Sequence, residues 1–377
     1  MKKVKILFFN SRKYDFSTAT LVEGFNQLKD AVELRATNLG SYALPEQVLS
    51  GKEVTEYASS QADIIILGSN HYVDHKTFWK VGSERAKKVY VDGWDSGQLN
   101  INPMKYRKFN YIFKNNLYKR DNSIAGFMRI ITGADLTLWD VPRSHILFPY
   151  PFFHSMKNMT GIKDVIKNFF YVSGQHKVFP LPFSVEKRCQ ADFNESPKYM
   201  LSCMLSADRV PERRKIIDML KDMQLPDIFI GKIEEDEECF LKMEKMYGAD
   251  PNVPQGLRGY AFHNDAYYKQ IHQSRACISV PGGGFDTFRF WEILGAGALL
   301  ISKRIAIRMP DPPVENKHYL AFDTIEELDD CIRRLYEFPE KMDEIRWEGY
   351  QHAGKYHTTR SRAEYFLKTV TALPRYH

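Results

Sequence analysis

The sequence predicts an α/β protein with two domains, each built around a mostly parallel sheet. Short apolar runs alternate with amphipathic helical patterns, which is the order that covers such a sheet with helices on both faces. A length of 377 residues also suits two domains. The two series of elements are separated by an irregular, proline-rich stretch with Pro142, Pro149, Pro151, Pro180 and Pro182. We therefore predict an N-terminal domain over residues 1–183 and a C-terminal domain over residues 184–377.

The first domain begins with an apolar run, VKILFFN, that is typical of a buried parallel strand. The helix predicted after it has Leu21, Phe25 and Leu28 on one face, with Ser17 or Thr18 as its N-cap. Four further strands are predicted, within AVELRATN, ADIIILGSN, KKVYVDGWDSG and NYIFKNN.

The second domain repeats the alternation. Its predicted strands lie within PKYMLSCMLS, DIFIGKI, ACISV and ALLIS. Its predicted helices lie within ERRKIIDMLKDM, DAYYKQIHQSR, TFRFWEILGAG, TIEELDDCIRRLYE and SRAEYFLKTVTAL.

Composition and charge narrow the class of protein. The 44% hydrophobic and 27% charged residues are ordinary for a globular chain. The five cysteines are odd in number and lack C-x-x-C spacing, which indicates a reducing compartment and no zinc site. No signal-peptide core and no apolar run of about eighteen residues occurs, so we expect a cytoplasmic protein. The net charge of +6 is scattered, which does not favour nucleic acid but suits a nucleotide diphosphate, an anionic glycan or the inner face of a membrane.

A glycine loop follows one of the predicted strands of the second domain. Gly282, Gly283 and Gly284 come directly after ACISV and directly before a helix. Ligands of open α/β sheets bind at the carboxyl ends of the strands, and glycines allow a ligand to approach the backbone closely. The free N–H groups of the next helix favour a phosphate there. A tight strand-to-helix turn is the alternative.

The helix after this loop carries two charges in an apolar setting. Arg289 and Glu292 are one turn apart and therefore neighbours on one face. A surface ion pair is one interpretation. The surrounding sequence FRFWEILGAGALLI is nearly all apolar, however, and buried charges need partners. A ligand is the second interpretation.

These segments resemble a known family. GGGFDTFRFWEILGAGALLIS is similar to the nucleotide-sugar motif of GT-B glycosyltransferases, of the group-1 type and the spore-maturation-like branch. The segment from Lys317 to Leu367 resembles the tail of such enzymes, and VFPLPFSVE resembles their interdomain strand. The resemblance implies two Rossmann-like domains that face each other across a cleft, with a C-terminal helix that crosses back to the first domain.

The resemblance also implies roles for individual residues. Glu292 would hold the ribose of a nucleotide diphosphate sugar, Arg289 would lie near the diphosphate, and Gly282–Gly284 would contact sugar and phosphate. Retaining members of the family carry a second glutamate eight positions earlier, where this chain has Gly284, and Asp286 is the nearest acid. No metal and no other cofactor are expected.

Several further residues are candidates by their position after strands. Arg209, with Arg213 and Arg214 nearby, and Lys232 are candidates for the donor diphosphate. Asp15, Asp74 and Asp95 also follow strands of the first domain, but His71 and Asp92 are the preferred candidates for the catalytic base. Retaining or inverting chemistry is left open.

The predicted function is transfer of a hexosyl or deoxyhexosyl group from a nucleotide diphosphate sugar to a hydroxyl of a glycan or lipid-linked acceptor, of the kind found in cell-surface polysaccharide or glycolipid. Peripheral association with a membrane fits that acceptor. No nucleic acid beyond the donor nucleotide is expected. The alternatives are an epimerase or phosphorylase of the same two-domain plan, and a non-catalytic nucleotide-sugar or glycan-binding protein.

Overall fold

A computed structural model of the protein describes residues 2–10, 15–40, 42–68, 73–81, 85–93, 105, 107–117, 177–205, 211–231, 265–282 and 284–372. Two separate parallel sheets organise these residues. The boundary predicted between residues 183 and 184 lies between the last strand of the first sheet and the first strand of the second.

The first sheet has six strands, all parallel, in the order β2-β1-β3-β4-β5-β6. They are β1 (Val4–Phe9), β2 (Val32–Ala36), β3 (Ile64–Gly68), β4 (Lys87–Asp92), β5 (Tyr111–Lys114) and β6 (Val178–Pro180). The central strand β3 is buried along its whole length, as the run Ile-Ile-Ile-Leu-Gly predicts for a strand covered on both faces. The five predicted strands are thus confirmed.

The second sheet has five parallel strands in the order β11-β10-β9-β7-β8. They are β7 (Tyr199–Cys203), β8 (Ile228–Ile230), β9 (Ser274–Ser279), β10 (Leu299–Lys303) and β11 (Leu320–Phe322). Both sheets therefore wind in the same way: the second strand lies outside the first, and the third strand lies on the other side of it.

Helices connect the strands and cover the sheets. They are α1 (Phe16–Gln27), α2 (Lys52–Ser60), α3 (His75–Lys80), α4 (Pro211–Asp222), α5 (Asp265–His272), α6 (Phe288–Gly295), α7 (Ile325–Glu337), α8 (Pro339–Tyr356) and α9 (Thr359–Ala372). None of these described helices is both long enough and apolar enough to cross a bilayer.

The N-cap of α1 differs from the prediction. Asp15 caps this helix, because its Oδ1 accepts from the backbone N–H of Thr18 at 3.0 Å. Ser17 and Thr18, the predicted caps, lie inside the first turn and are buried. A carboxylate at this position also favours the positive end of the helix dipole, which makes Asp15 the stronger cap.

The last helix crosses back to the first domain. Phe366 of α9 packs on Phe25 of α1 and on Phe113 of β5, with ring centroids 5.6 and 4.5 Å apart. Two passages between the domains lie within the described residues, and they pair with each other: Val185 N–H donates to His357 O at 2.8 Å, and Thr359 N–H donates to Val185 O at 3.2 Å.

Close contact between α1 and α9 depends on a glycine. A Cβ on Gly24 would lie 2.7 Å from Ala363 Cβ and would also collide with the Thr359 carbonyl. We expect Gly24→Ala to lower the free energy of unfolding by about 1–3 kcal/mol, since overpacking of a buried contact costs this much. Urea unfolding measures the change.

Gly354 of α8 is the matched control, because a Cβ there meets nothing within 4 Å. Gly354→Ala should be neutral, or stabilising by up to about 1 kcal/mol through helix propensity. Equal effects of the two substitutions would contradict the close packing of α9 on α1.

Candidate functional site

The glycine loop lies at the point where the order of the second sheet reverses. The loop connects β9 to α6, and β9 pairs with β7, the first strand of this domain. From β7 the chain runs outward to β8 and then returns to β9 on the other side. A crevice at the carboxyl ends of such strands is the usual ligand site of an open α/β sheet.

Arg213 of α4 holds the beginning of this loop. Its Nη2 donates to the carbonyl oxygens of Val280 and Pro281 at 2.9 and 3.1 Å. A Cβ on Gly282 would lie 3.2 Å from the same Nη2, so the loop passes tightly over the guanidinium. Gly282 N–H donates to Gly284 O at 3.1 Å, which closes the turn. Arg213 was a candidate from its position in the sequence, although Arg209 was the preferred one.

Helix α6 begins directly after the loop and directs its first N–H groups towards it. Its N-cap is Thr287, whose side chain makes no capping hydrogen bond to the helix. The Thr287 hydroxyl lies instead 3.3 Å from the Ser279 hydroxyl at the end of β9. The N-terminus of α6 therefore contributes the positive end of a helix dipole to the loop.

Arg289 and Glu292 are joined through a tyrosine of the neighbouring helix α5. The Tyr267 hydroxyl donates to Glu292 Oε2 at 2.9 Å and accepts from Arg289 Nε at 3.2 Å. The Tyr268 hydroxyl donates to Glu292 Oε1 at 3.4 Å. Glu292 is only 4% exposed, so it is not part of a surface ion pair. The arrangement places one anion and one cation around a shared hydroxyl.

The electrostatics of this group keep the tyrosine a hydrogen-bond donor. Burial raises the pKa of Tyr267 well above its ordinary value, with Glu292 acting in the same direction and Arg289 against it. Burial, reinforced by Glu292, also raises the pKa of Tyr268. Both hydroxyls therefore stay protonated near neutral pH, and Glu292 is held by two donors.

Positive charge also lies near the carboxyl end of β7. Burial raises the pKa of the Cys203 thiol to about 11, while the Leu205 backbone, Arg289 and Arg213 act in the opposite direction. The guanidinium groups of Arg289 and Arg213 therefore both act electrostatically on the last residue of β7. Cation and helix dipole together make this edge of the sheet suitable for a phosphate.

Asp286 lies at the end of the glycine loop and is buried. Its Oδ1 accepts from Trp291 Nε1 at 2.8 Å, and its Oδ2 accepts from Phe183 N–H at 2.6 Å. Its backbone N–H donates to Asn116 Oδ1 of the first domain at 2.9 Å. Both carboxylate oxygens are thus bonded to other parts of the chain.

The first domain contacts the loop and the helix after it. Phe16, at the start of α1, stacks on Phe288, at the start of α6. Phe183 packs on the same ring, with centroids 4.4 Å apart. Arg308 N–H of the second domain donates to Leu117 O of the first at 2.6 Å. The candidate site is therefore bordered by both domains.

Asp92, a predicted catalytic base, is paired with a lysine inside the first domain. Its Oδ1 lies 3.2 Å from Lys114 Nζ, and both side chains are 0% exposed. The pair joins the carboxyl ends of β4 and β5. The next residues of the chain, Asn115 and Asn116, are also buried and lead to the contact with Asp286.

The other predicted residues divide into two groups. Gly282, Gly284, Asp286, Arg289 and Glu292 lie together in the loop and in α6. His71, Arg209, Lys232 and Gly283 lie outside the described residues. No role was predicted from the sequence for Tyr267, Tyr268 or Lys114. The pair Tyr-Tyr at the start of an amphipathic helix was visible, but its approach to Glu292 is a tertiary contact.

Three histidines support the loop between β10 and β11. His352 Nε2 and His357 Nε2 lie 2.9 and 2.8 Å from the Asp311 carbonyl oxygen. Val314 N–H donates to His318 Nδ1 at 2.9 Å, and the His318 ring stacks on that of His352. The same loop carries Arg308, which contacts the first domain.

These histidines predict an acid-sensitive fold. Burial lowers the pKa of His318 to about 4, and burial lowers the pKa values of His352 and His357 as well. In the unfolded chain they take up protons near pH 6.5. Between these values the unfolded state binds more protons, so the free energy of unfolding falls as pH falls.

We expect the urea midpoint to decrease from pH 7.5 to pH 5, above the range where most carboxylates titrate. His318→Asn should flatten part of that slope, because it removes one of the groups that resist protonation. A slope that is identical in the variant would contradict the assignment to this cluster.

Comparisons with known proteins agree with this architecture. Residues 237–368 match a family described as glycosyl transferase-like. The chain resembles the crystal structure of a glycosyltransferase from Rickettsia africae ESF-5, with 11% sequence identity over 99% of each chain and a TM-score of 0.54. It also resembles Anabaena Alr3699/HepE, crystallised with UDP and glucose, with 10% identity, 98% and 100% of the two chains covered and a TM-score of 0.51. No curated protein matches the sequence.

The predicted resemblance to glycosyltransferases is thereby confirmed for residues 237–368. The solved structures confirm the predicted GT-B fold of two Rossmann-like domains. The family match begins before α5 and ends within α9, and it therefore includes the glycine loop, Arg289 and Glu292. The narrower resemblance to the spore-maturation-like branch stays a prediction.

Proposed function

We propose that the protein is a glycosyltransferase that binds a nucleotide diphosphate sugar at the glycine loop and transfers the sugar to a hydroxyl acceptor. One observation carries the proposal. The glycine loop, the N-terminus of α6 and the group Arg289–Tyr267–Glu292 are assembled at the carboxyl edge of the second sheet, where its strand order reverses. The family match covers the same residues.

The parts of the donor suit the parts of this site. Backbone N–H groups at the start of α6 and the Arg289 guanidinium are donors for the diphosphate. The Glu292 carboxylate is an acceptor for the ribose hydroxyls. Tyr268 is bonded to Glu292 Oε1 at 3.4 Å, near the limit of a hydrogen bond, so a ribose hydroxyl can take its place. Tyr267 would keep the carboxylate in position meanwhile.

Transfer of the sugar moves one bond and one proton. The bond between the anomeric carbon and the diphosphate oxygen breaks, and the nucleoside diphosphate leaves with the electron pair. A new bond forms between that carbon and the acceptor oxygen, whose proton passes to a base or to the leaving group. Arg289 and the α6 dipole stabilise the leaving diphosphate, which is an electrostatic contribution to catalysis.

The proposal extends to the catalytic base, the donor sugar and the acceptor. His71 and Asp92 are the proposed bases, and Asp92 would have to act from a buried ion pair with Lys114. We further propose a hexosyl or deoxyhexosyl donor, and a glycan or lipid-linked acceptor such as a precursor of a cell-surface polysaccharide or glycolipid. The excess of 53 basic over 47 acidic residues supports an anionic acceptor or membrane face. Arg209 and Lys232 remain proposed as further donor contacts.

A panel of UDP-, GDP- and TDP-sugars tests the function. We expect one nucleotide sugar of the panel to raise the melting temperature of the protein. Its nucleoside diphosphate should be released when an acceptor is present. EDTA should leave the rate unchanged, because the resemblance implies no metal and the cationic side chains supply the charge stabilisation. If no member of the panel binds and none releases its diphosphate, the proposal is contradicted.

Gly284 favours a second candidate function, a non-catalytic nucleotide-sugar-binding protein. Retaining enzymes of the resembled family have a glutamate at that position, and this chain has none. Binding without release of diphosphate, with every acceptor offered, would support the second candidate over the first.

A further inference from the structure

The donor loop is tied to the passage between the domains by the side chain of Asp286. Asp286 Oδ2 accepts from the backbone N–H of Phe183, in the first passage of the chain between the domains, at 2.6 Å. Oδ1 accepts from Trp291 Nε1 of α6 at 2.8 Å. The carboxylate therefore joins the loop, the helix after it and the interdomain segment at one point.

The second passage contacts the same place. Arg362 of α9 donates from Nη2 to the Phe183 carbonyl at 3.1 Å and lies 3.0 Å from His357 Nδ1. The His357 ring lies 4.8 Å from that of Trp291. Arg362 is 0% exposed, and burial lowers its pKa to about 10 while Asp286 opposes that change. Among the groups that favour the buried cation, Asp286 has the largest effect.

The loop is also attached directly to the first domain. The backbone N–H of Asp286 donates to Asn116 Oδ1 at 2.9 Å, and the two residues are 170 positions apart in the chain. Asn116 is 0% exposed. Phe288, two residues after Asp286, stacks on Phe16 of the first domain. The position of the loop therefore depends on how the two domains meet.

We propose that Asp286 is a positioning residue: it fixes the glycine loop to the interdomain passage and to Asn116, so that the diphosphate part of the donor site is formed when the domains meet as they do here. This inference rests on the proposed function. Asp286 would therefore act through the loop and not by direct contact with the donor, because both of its carboxylate oxygens already accept hydrogen bonds from Phe183 and Trp291.

The substitution Asp286→Asn tests the proposal. The amide keeps one acceptor oxygen but directs an N–H at one of the two present donors, so the loop loses one attachment. The ligand is the nucleoside diphosphate, among UDP, GDP and TDP, that the wild type binds. We expect its dissociation constant to rise roughly tenfold, which corresponds to the loss of one charge-assisted hydrogen bond. The constant of the matching monophosphate should change less, because the loop holds the diphosphate.

Asn116→Ala, in the other domain, provides the second arm. We expect it to weaken binding of the diphosphate as well, and the double variant Asp286→Asn/Asn116→Ala to lose less than the two single losses combined. Ile332→Ala is the control for stability, because Ile332 belongs to a core cluster of the second domain that contains neither Trp291 nor Phe183. It should lower the melting temperature and leave binding unchanged.

The outcomes distinguish the positioning role of Asp286 from the proposed function. Normal diphosphate binding by Asp286→Asn, or equal weakening for monophosphate and diphosphate, would overturn the positioning role and leave the proposed function standing. Failure of the wild type to bind any of the three diphosphates would overturn both.

Discussion

Glu292→Ala is expected to abolish nucleotide-sugar binding at concentrations that saturate the wild type. The carboxylate would accept the ribose hydroxyls, and hydrogen bonds to a charged group contribute about 1.5–3 kcal/mol each. Loss of two such bonds corresponds to roughly a 100-fold or larger rise in the dissociation constant. Isothermal calorimetry with the nucleotide chosen from the panel measures it.

Two variants separate binding from folding at this position. Glu292→Gln keeps an oxygen for the Tyr267 hydroxyl but removes the charge, so it should fold and bind weakly. Glu348→Ala on α8 replaces an exposed glutamate of the same domain and should bind normally. Wild-type affinity in Glu292→Ala would show that the ribose lies elsewhere.

Breaking the ion pair of Asp92 and Lys114 should have the largest effect on stability. Both side chains are fully buried, so Lys114→Met leaves Asp92 as a buried charge without this cation. Removal of one member of a buried pair costs about 3–5 kcal/mol, a large fraction of the stability of a domain. Urea unfolding at pH 7.5 measures the loss.

The double variant Asp92→Asn/Lys114→Met supplies the control and tests catalysis. It removes both charges and should recover much of the lost stability, since a buried pair is often replaceable by neutral groups. If Asp92 is the catalytic base, the folded double variant should bind the donor without transferring its sugar. Normal turnover would restrict Asp92 to a structural role, and a stability as low as that of the single variant would contradict the pairing.

Local sequence patterns were sufficient for most of the fold. Apolar runs such as Ile64–Gly68 identify strands because burial on both faces requires them. The short strand β11, Leu320–Phe322, was missed, because three residues at the edge of a sheet have no period of their own. The helical pattern of α9 was predicted from its residues, and its return to the first domain only from the family resemblance. Its close packing against Gly24 is a tertiary contact that no local sequence pattern indicates.

The candidate site was predictable only in part. Arg289 and Glu292 are one turn apart in an apolar helix, so their unusual setting is visible in the sequence. Tyr267, the hydroxyl between them, lies 25 positions before Glu292 in another helix, and no local pattern connects the two. Lys114 and Asp92 are 22 positions apart on neighbouring strands and meet only through the register of the sheet.

A crystal of the protein soaked with UDP, GDP and TDP in turn is the most direct test of the central claim. We expect one of them to bind with its diphosphate against the backbone of the glycine loop and the start of α6, and with its ribose hydroxyls on Glu292. A nucleotide bound away from Arg289 and Glu292 would show that the donor site lies elsewhere.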